Sequence, residues 1–209
     1  MKRFPTSFFV TGTDTGIGKT VVSAMLAQGL DATYWKPVQS GLQEETDTEF
    51  VKRTTNLPAS RFVEEEYRLT EPLSPHASAA IDGITISMDR FSLPDYQTRH
   101  LVVEGAGGLM VPLNDEYMII DLIKYLNLPV LLVSRSELGT LNHTFLSLEA
   151  LRSRGIEILG VVMNGTKNDS NRRAIENYGN VSVLAELEPL ERVTSETLRA
   201  AFKQLFDEP

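Results

Sequence analysis

Short apolar segments rich in β-branched and aromatic residues alternate along this chain with segments that have the 3.6-residue period of a helix. The predicted strands are Ser7 to Thr11, Thr33 to Lys36, His100 to Glu104, Val130 to Ser134, Ile158 to Met163 and Val181 to Leu184. The predicted helices are Lys19 to Leu30, Asp47 to Thr55, Met118 to Leu126, Leu141 to Arg154, Ser170 to Tyr178 and Ser195 to Phe206. The segment Arg61 to Pro94, rich in Pro and Ser, is the least regular, and we expect it to be a long excursion over the sheet. Because strands joined by crossover helices pair in parallel, the pattern predicts an α/β fold, a doubly wound and mostly parallel sheet with helices on both faces.

The composition is typical of a single domain, residues 1–209, that acts on small molecules. Hydrophobic residues make up 42% of the 209 residues, which is enough for a sizeable core. The formal net charge of −8 argues against binding of nucleic acid or of a membrane surface, because such binding needs clustered Lys and Arg. No apolar run has the length of a membrane span, and the absence of cysteine excludes disulfides and thiolate metal sites. We therefore expect a cytoplasmic protein whose partners are small molecules.

The segment GTDTGIGKT, residues 12–20, joins the first predicted strand to the first predicted helix. A glycine-rich turn in this position lets backbone N–H groups converge on phosphate oxygens at the positive N-terminus of the helix. Lys19 can supply charge to the terminal phosphates, and the Thr20 hydroxyl can coordinate Mg²⁺. The first glycine, Gly12, lies one position earlier than in the common pattern of Gly, four residues and Gly-Lys-Thr. The segment is therefore either a phosphate loop of a particular subclass or a glycine-rich turn that binds nothing.

Three polar residues end predicted strands, namely Lys36, Glu104 and Asn164. Ligands of a doubly wound sheet bind outside the carboxyl ends of its strands, so we expect all three to face the same crevice as the phosphate loop. Lys36 can also be an ordinary solvated lysine, and Glu104 is either a Mg²⁺ ligand or an acid that caps a nearby helix. Asp47 begins a predicted helix, where an N-cap is the simpler role.

Five motifs occur in order across almost the whole chain: GTDTGIGKT, KPVQSG, EPLSPHASA, EGAGGLMVPL and VVMN. Together they resemble the dethiobiotin synthetase family of the P-loop NTPase superfamily, whose phosphate loop also has its first glycine at the position of Gly12. The resemblance implies a ligase of biotin biosynthesis that closes the ring of 7,8-diaminononanoate with CO₂ and ATP, giving dethiobiotin, ADP and phosphate. It also implies Mg²⁺ as a cofactor and a homodimer with the active site near the subunit interface.

The resemblance implies roles for individual residues. Lys36 and Lys19 correspond to catalytic lysines, and the residues matching Thr20, Asp47 and Glu104 hold Mg²⁺. The residues that it implies for nucleotide binding are Thr15, Gly16, Ile17, Gly18, Lys19, Thr20, Val21, Asp47, Glu104, Gly105, Ala106, Gly107, Asn164, Gly165, Leu187, Glu188 and Pro189. The residues that it implies for substrate binding are Ser40 and, at a helix N-terminus of the other subunit, Gly139, Thr140, Leu141 and Asn142.

One segment departs from the family pattern. Where the family often has Gly-Glu-Ile-Pro near the nucleotide base, this chain has Ala-Glu-Leu-Glu-Pro at residues 185–189. The usual proline position is therefore occupied by Glu188, whose carboxylate differs in both shape and charge.

Three other classes of ATP-binding protein share parts of this pattern. An ATPase of the MinD or ParA type, which dimerises and binds membrane or DNA, carries a signature lysine where this chain has Asp14. The ATP-dependent amidase domain of cobalamin biosynthesis is ordinarily fused to a glutaminase domain, which we do not expect in 209 residues. A non-catalytic nucleotide-binding protein keeps Lys19 and Thr20 but has no need of Lys36 and Glu104.

Overall fold

A seven-stranded sheet with helices on both faces forms the centre of the computed structural model, which describes residues 4–206. The strands of this sheet and of a small second sheet are β1 (Ser7–Gly12), β2 (Thr33–Trp35), β3 (Val38–Ser40), β4 (Phe62–Val63), β5 (Tyr67–Leu69), β6 (Leu101–Gly108), β7 (Val130–Arg135), β8 (Ile158–Asn164) and β9 (Val183–Leu187). The helices are α1 (Lys19–Leu30), α2 (Asp47–Thr54), α3 (Pro75–Asp82), α4 (Ile119–Tyr125), α5 (Thr140–Ser153), α6 (Asp169–Gly179) and α7 (Ser195–Phe206). All strand pairs of the two sheets are parallel. The predicted doubly wound, mostly parallel α/β fold is confirmed.

The strand order of the central sheet is β4-β2-β6-β1-β7-β8-β9. From β1 the chain passes to β2 on one side, and after β6 it passes to β7 on the other side. In a parallel sheet, such a reversal of direction leaves a crevice outside the carboxyl ends of the strands. The phosphate loop follows β1 directly, so it begins at this crevice.

Two hydrophobic cores, one on each face of the sheet, hold the helices in place. One core joins Phe8 of β1 to Met25 of α1 and Phe202 of α7. The other joins Phe9 of β1 to Leu148 of α5. Phe8 and Phe9 lie in different cores because successive side chains of a strand point to opposite faces. The central strands are thus covered on both faces, which explains their continuous apolar sequences.

Helix α2 begins with a capping box that sets the position of Asp47. The Thr46 hydroxyl accepts a hydrogen bond from the backbone N–H of Glu49 at 3.2 Å, and the Glu49 carboxylate accepts one from the backbone N–H of Thr46 at 2.8 Å. Thr46 is therefore the N-cap, and the interpretation of Asp47 as a mere cap is wrong. The Asp47 carboxylate lies in the first turn and is free for other contacts.

Regular elements occur inside the segment 61–94, where the sequence predicts only an excursion. Strand β4 extends the central sheet beside β2, β5 pairs with β3, and α3 follows with Pro75 in its first turn. The ring centroids of Tyr67 and Phe91 lie 5.4 Å apart, and both rings pack in the hydrophobic core that contains Phe9. The two strands have 2 and 3 residues, too few for their side-chain period to be detected in the sequence.

Two strands, β6 and β9, end more than one residue later than predicted. β6 continues to Gly108, which pairs with Gly12, so Glu104 lies inside the strand rather than at its end. β9 occupies Val183–Leu187 instead of Val181 to Leu184, and Leu187 is the partner of Asn164 in β8. None of the helices within residues 4–206 combines the length and hydropathy needed to cross a membrane.

Candidate functional site

A cavity of about 790 Å³ opens where the phosphate loop, the segment after β2 and the second half of β6 meet. The predicted site residues that line it are Thr15, Gly16, Gly18, Lys19, Thr20, Val21, Lys36, Ser40, Asp47, Glu104, Ala106 and Gly107. Gln39, Glu45 and the segment 72–75 at the start of α3 also line it, and residue-level prediction missed them. The motif EPLSPHASA contains the segment 72–75 and was the signal available.

The phosphate loop wraps closely around the start of α1. Gly18 caps the helix with a φ of 88°, and a Cβ added to it would lie 2.1 Å from Asn164 Nδ2. Only glycine fits this position, because the backbone is left-handed and the Asn164 side chain occupies the space that a Cβ would need. The buried Lys19 donates a hydrogen bond to Asp14 O at 3.0 Å, so its ammonium lies within the loop. Burial lowers the pKa of Lys19 below its ordinary value, although the Glu104 carboxylate opposes the shift.

Lys36 is the central cation of the site. Its Nζ lies 2.9 Å from Asp47 Oδ2 and 3.3 Å from Glu104 Oε1, and it donates a hydrogen bond to Gly105 O at 3.2 Å. Burial acts to lower the pKa of Lys36, but Glu104 and Asp47 together hold it above its ordinary value. With 3% of its surface exposed, Lys36 is not the solvated lysine that was one interpretation of the sequence.

Three oxygen-bearing side chains converge beside Lys36. The Thr20 hydroxyl lies 2.5 Å from Asp47 Oδ1 and 3.0 Å from Glu104 Oε1, within donating distance of both. Burial acts to raise the pKa of Asp47, yet Lys36 and the Thr20 hydrogen bond hold it below its ordinary value. Glu104 is therefore part of a polar cluster on the sheet and does not act as a helix cap.

The chemistry of this donor set fits Mg²⁺. Mg²⁺ prefers oxygen ligands and is commonly bound through one or two carboxylates, with substrate phosphates and water completing its shell. Thr20, Asp47 and Glu104 supply two carboxylates and one hydroxyl at the edge of the phosphate loop. Among residues 4–206, no group of three or more His, Cys, Asp or Glu side chains is arranged to hold a metal. The described part of the chain thus provides a partial set of ligands, as expected where a nucleotide completes the shell.

Two further residues support the cluster and were missed in the sequence. The Tyr34 hydroxyl donates to Glu104 Oε2 at 3.0 Å, and Gln39 Oε1 accepts from the backbone N–H of Asp47 at 3.2 Å. Burial raises the pKa of Tyr34 well above its ordinary value, and the Glu104 carboxylate adds to the shift, so the hydroxyl is a donor. Tyr34 stands two positions before Lys36, and side chains two positions apart in a strand point to the same face of the sheet. This spacing was the signal available in the sequence.

Ser40, the predicted substrate contact, is among the residues that line the cavity. Its Oγ is buried and has no hydrogen-bond partner among the described residues. Buried hydroxyls are normally paired, and a rotation about χ1 is enough to change their direction. Ser40 therefore retains its full hydrogen-bonding capacity for another molecule.

The residues predicted to contact the nucleotide base lie at the carboxyl ends of β8 and β9. Asn164 Nδ2 donates to Ile17 O at 2.8 Å, and Gly165 N donates to Leu187 O at 2.9 Å. Glu188 is half-exposed and lies 3.4 Å from Lys167. These residues, together with Ile17, Gly105 and Pro189, are outside the group that lines the main cavity. Asn164 contacts the phosphate loop, whereas Gly165, Glu188 and Pro189 follow the last residues of β8 and β9.

The predicted substrate-binding helix start also lies away from the main cavity of its own chain. Gly139 is the N-cap of α5 with a φ of 93°, and Thr140, Leu141 and Asn142 form its first turn. A smaller cavity of about 320 Å³, lined by His143 and Leu146 of α5, separates this helix from the phosphate loop. Within one chain, therefore, the first turn of α5 does not line the cavity that contains the Lys36 cluster.

Known proteins with similar sequences cover nearly the whole chain. A family model described as an AAA domain matches residues 6–197. The ATP-dependent dethiobiotin synthetase BioD of Rhodopseudomonas palustris (strain BisB5) is 51% identical over 202 residues, which are 97% of this chain and 95% of that protein. The biotin biosynthesis bifunctional protein BioCD of Bordetella avium (strain 197N) is 50% identical over 204 residues, 97% of this chain and 44% of that protein.

Solved structures with a similar backbone are more distant in sequence. A ParA family ATPase from Chlorobium tepidum TLS has a TM-score of 0.55 at 13% identity, covering 99% of this chain and 95% of that one. The septum site-determining protein MinD from Pyrococcus horikoshii OT3, complexed with Mg-ADP, has a TM-score of 0.56 at 14% identity, covering 95% of this chain and 94% of that one. At these identities the likeness shows a common fold and carries no activity over to this chain.

Proposed function

This chain belongs to the ATP-dependent dethiobiotin synthetase family, and we propose that the reaction takes place in its main cavity. The protein is a ligase of biotin biosynthesis, which forms the ureido ring of dethiobiotin from 7,8-diaminononanoate and CO₂ and converts ATP to ADP and phosphate. One observation carries the assignment of the site: Lys36 is buried between Asp47 and Glu104, beside Thr20 of the phosphate loop. We propose that residues 1–209 act as one domain.

The proposed chemistry proceeds through three bond-forming steps. An amine of the substrate adds to CO₂ and loses a proton, giving a carbamate. A carbamate oxygen attacks the γ-phosphorus of ATP, and ADP leaves. The second amine then attacks the carbonyl carbon of the mixed anhydride and loses a proton, phosphate leaves, and the ring is closed. Each step requires positioning and neutralisation of negative charge more than it requires a protein acid or base.

The phosphate loop is proposed to bind the ATP phosphates. Its backbone N–H groups lie at the N-terminus of α1, where the helix dipole favours an anion. The Lys19 ammonium donates to Asp14 O and has two further N–H donors. Because Lys19 is already held inside the loop, binding of the terminal phosphates costs little ordering of its side chain.

Thr20, Asp47 and Glu104 are proposed to hold Mg²⁺ together with the nucleotide. An ion held by these three residues would neutralise the negative charge that develops on the phosphates during transfer. The contacts of the Thr20 hydroxyl with both carboxylates, at 2.5 and 3.0 Å, support this role. The positive charge of Lys36 keeps Asp47 ionised, as a metal ligand must be.

Lys36 is proposed to stabilise the carbamate and the transferring phosphoryl group. Its ammonium is fixed by two carboxylates and a backbone oxygen, so it presents charge with little reorganisation. Ser40 lines the same cavity and has an unpaired hydroxyl for the diamine substrate. Asn164, Gly165 and the segment 187–189 are proposed to surround the nucleotide base.

A homodimer completes the proposed site. The first turn of α5, residues 139–142, would bind the carboxylate of the substrate held by the partner, because helix N–H groups suit an anion. The exposure of Leu138 and Leu146 beside this turn, 103% and 57%, supports burial of the surface against a second copy. The proposal includes a cytoplasmic location, since the reaction consumes ATP.

Mass spectrometry of the product tests the function directly. The protein is incubated with ATP, ¹³C-bicarbonate and 7,8-diaminononanoate, and we expect dethiobiotin with one added ¹³C and one ADP for each product molecule. Omitting the diamine should remove ADP formation as well as product. Steady ATP hydrolysis without the diamine, and no labelled product, would contradict the proposal and favour a nucleotide switch.

A further inference from the structure

Tyr34 contacts Glu104 from the hydrophobic core. Its hydroxyl lies 3.0 Å from Glu104 Oε2, whereas Thr20 and Lys36 both contact Oε1, at 3.0 and 3.3 Å. Glu104 is buried, and a buried carboxylate oxygen needs a donor. The two oxygens of one carboxylate are thus held by different partners, one from the core and the others from the cavity.

The packing of Tyr34 fixes where its hydroxyl lies. Tyr34 is the partner of Val102 in the pairing of β2 with β6, and Glu104 stands two positions after Val102 on the same face of the sheet. The Tyr34 ring is fully buried and packs edge-on against Phe62, with ring centroids 6.4 Å apart. Because the ring is enclosed in this way, its hydroxyl has a fixed position. The hydrogen bond from this hydroxyl therefore holds Glu104 Oε2 in place.

We infer that Tyr34 is a positioning residue for the metal site, which holds Glu104 so that Oε1 faces Thr20 and the bound Mg²⁺. The inference rests on the proposed role of Glu104 as a metal ligand. An aromatic hydroxyl at this point prevents rotation of the carboxylate about χ3, a torsion with a broad energy well. Partners of this kind orient the ligands of a metal, and their loss typically weakens metal binding about 10- to 100-fold.

The first test is Tyr34→Phe, which removes the hydroxyl and keeps the ring. Mg²⁺ is titrated by calorimetry into protein saturated with ADP, and ADP is titrated separately without metal. We expect the dissociation constant for Mg²⁺ to rise about 10- to 100-fold, with metal-free ADP binding unchanged. The matched control is Tyr67→Phe, which removes another buried hydroxyl, hydrogen-bonded to Ser87 at 2.9 Å and outside the cavity lining. It should lower the melting temperature and leave Mg²⁺ binding as in the wild type.

The variant Glu104→Gln separates this inference from the proposal on which it rests. If Glu104→Gln binds Mg²⁺ normally, the metal site itself is wrongly assigned. If Glu104→Gln binds Mg²⁺ measurably more weakly and folded Tyr34→Phe binds it normally, Tyr34 has no positioning role and only the inference fails. In the double variant, Tyr34→Phe should add little to the effect of Glu104→Gln, because Tyr34 acts through that carboxylate. Additive effects would overturn the inference.

A measurement on the wild-type protein covers the case in which Tyr34→Phe does not fold. Tyrosine labelled with ¹³C at Cζ reports hydrogen bonding of each hydroxyl. The chain has six tyrosines, and single Phe variants at the other five, Tyr67→Phe among them, identify the remaining signal as that of Tyr34. In the presence of ADP, added Mg²⁺ should shift the Tyr34 signal with the same midpoint as metal binding and leave the Tyr67 signal in place. A Tyr34 signal that does not respond to Mg²⁺ contradicts the inference.

Discussion

Lys36 Nζ and Asp47 Oδ2 lie 2.9 Å apart, and this ion pair joins the end of β2 to the first turn of α2 across the floor of the cavity. The lysine side chain is 4% exposed, while that of the aspartate is 33% exposed. Lys36 is therefore a fixed part of the protein interior, and Asp47 is the partner that meets solvent.

Lys36→Ala should depress kcat far more than ATP binding. Loss of a fixed charge that acts on the reacting groups typically costs about 10²- to 10³-fold in kcat. The change also leaves Glu104 and Asp47 unpaired, so the free energy of unfolding should fall by roughly 2 kcal/mol, less than for a fully buried pair because Asp47 meets solvent. Steady-state kinetics and urea denaturation measure the two effects. Lys124→Ala, an exposed lysine on α4, is the control, and an equal loss of activity there would contradict the specific role.

Lys19→Ala should weaken nucleotide binding. The ammonium is proposed to make charge-assisted contacts with the terminal phosphates, and their loss costs about 1.5–3 kcal/mol. Calorimetric titration of ATP and of AMP measures this, since AMP lacks the terminal phosphates and should bind the variant and the wild type equally. Turnover of Lys19→Ala at the wild-type rate, with unchanged ATP dependence, means that the segment 12–20 is not a working phosphate loop.

Asp47→Asn should lose metal binding and some stability, because the buried Lys36 keeps only Glu104 as a carboxylate partner. The cap of α2 is Thr46, so the amide leaves the capping box intact, but a neutral oxygen is a poorer ligand for Mg²⁺. Thr46→Ala is the matched variant, and it should lower the free energy of unfolding by about 1 kcal/mol through loss of the cap. Mg²⁺ titration in the presence of ADP, and thermal denaturation, separate the two. Normal activity of Asp47→Asn at low Mg²⁺ would remove Asp47 from the metal site.

Mixed dimers test whether α5 serves the partner's site. Inactive Lys36→Ala protein is mixed with inactive Gly139→Trp protein, whose side chain extends into open space at the N-cap of α5. If each site uses Lys36 of one chain and residue 139 of the other, a mixed dimer has one site with both lesions and one with neither, so part of the activity returns. Gly139→Ala has the same backbone strain with little bulk and is the control. Confirmed subunit exchange without recovery of activity means that each site is built within one chain.

Most of the fold was predictable because its signals are local. The helices at Lys19–Leu30 and Ser195–Phe206 have the predicted bounds, since their periods and the residues at their ends are read within a few positions. The short strands β4 and β5 were not predictable, because strands of 2 and 3 residues depend on pairing with distant strands. Gln39 was missed for a related reason, since its contact with Asp47 connects a strand to a helix start eight positions later.

The sequence by itself determined the parallel α/β architecture, the phosphate loop and the family, because each depends on residue types in a local order. Only the tertiary structure decided that Lys36 is buried and that Asp47 is not a cap. It also decided how Glu104 is shared between Tyr34 and the cavity. Thr20 lies 27 positions from Asp47 and 84 positions from Glu104, and their distances follow from the packing of α1, α2 and β6. Burial and ion pairing depend on which distant side chains share a face of the sheet, and sequence order alone does not specify this.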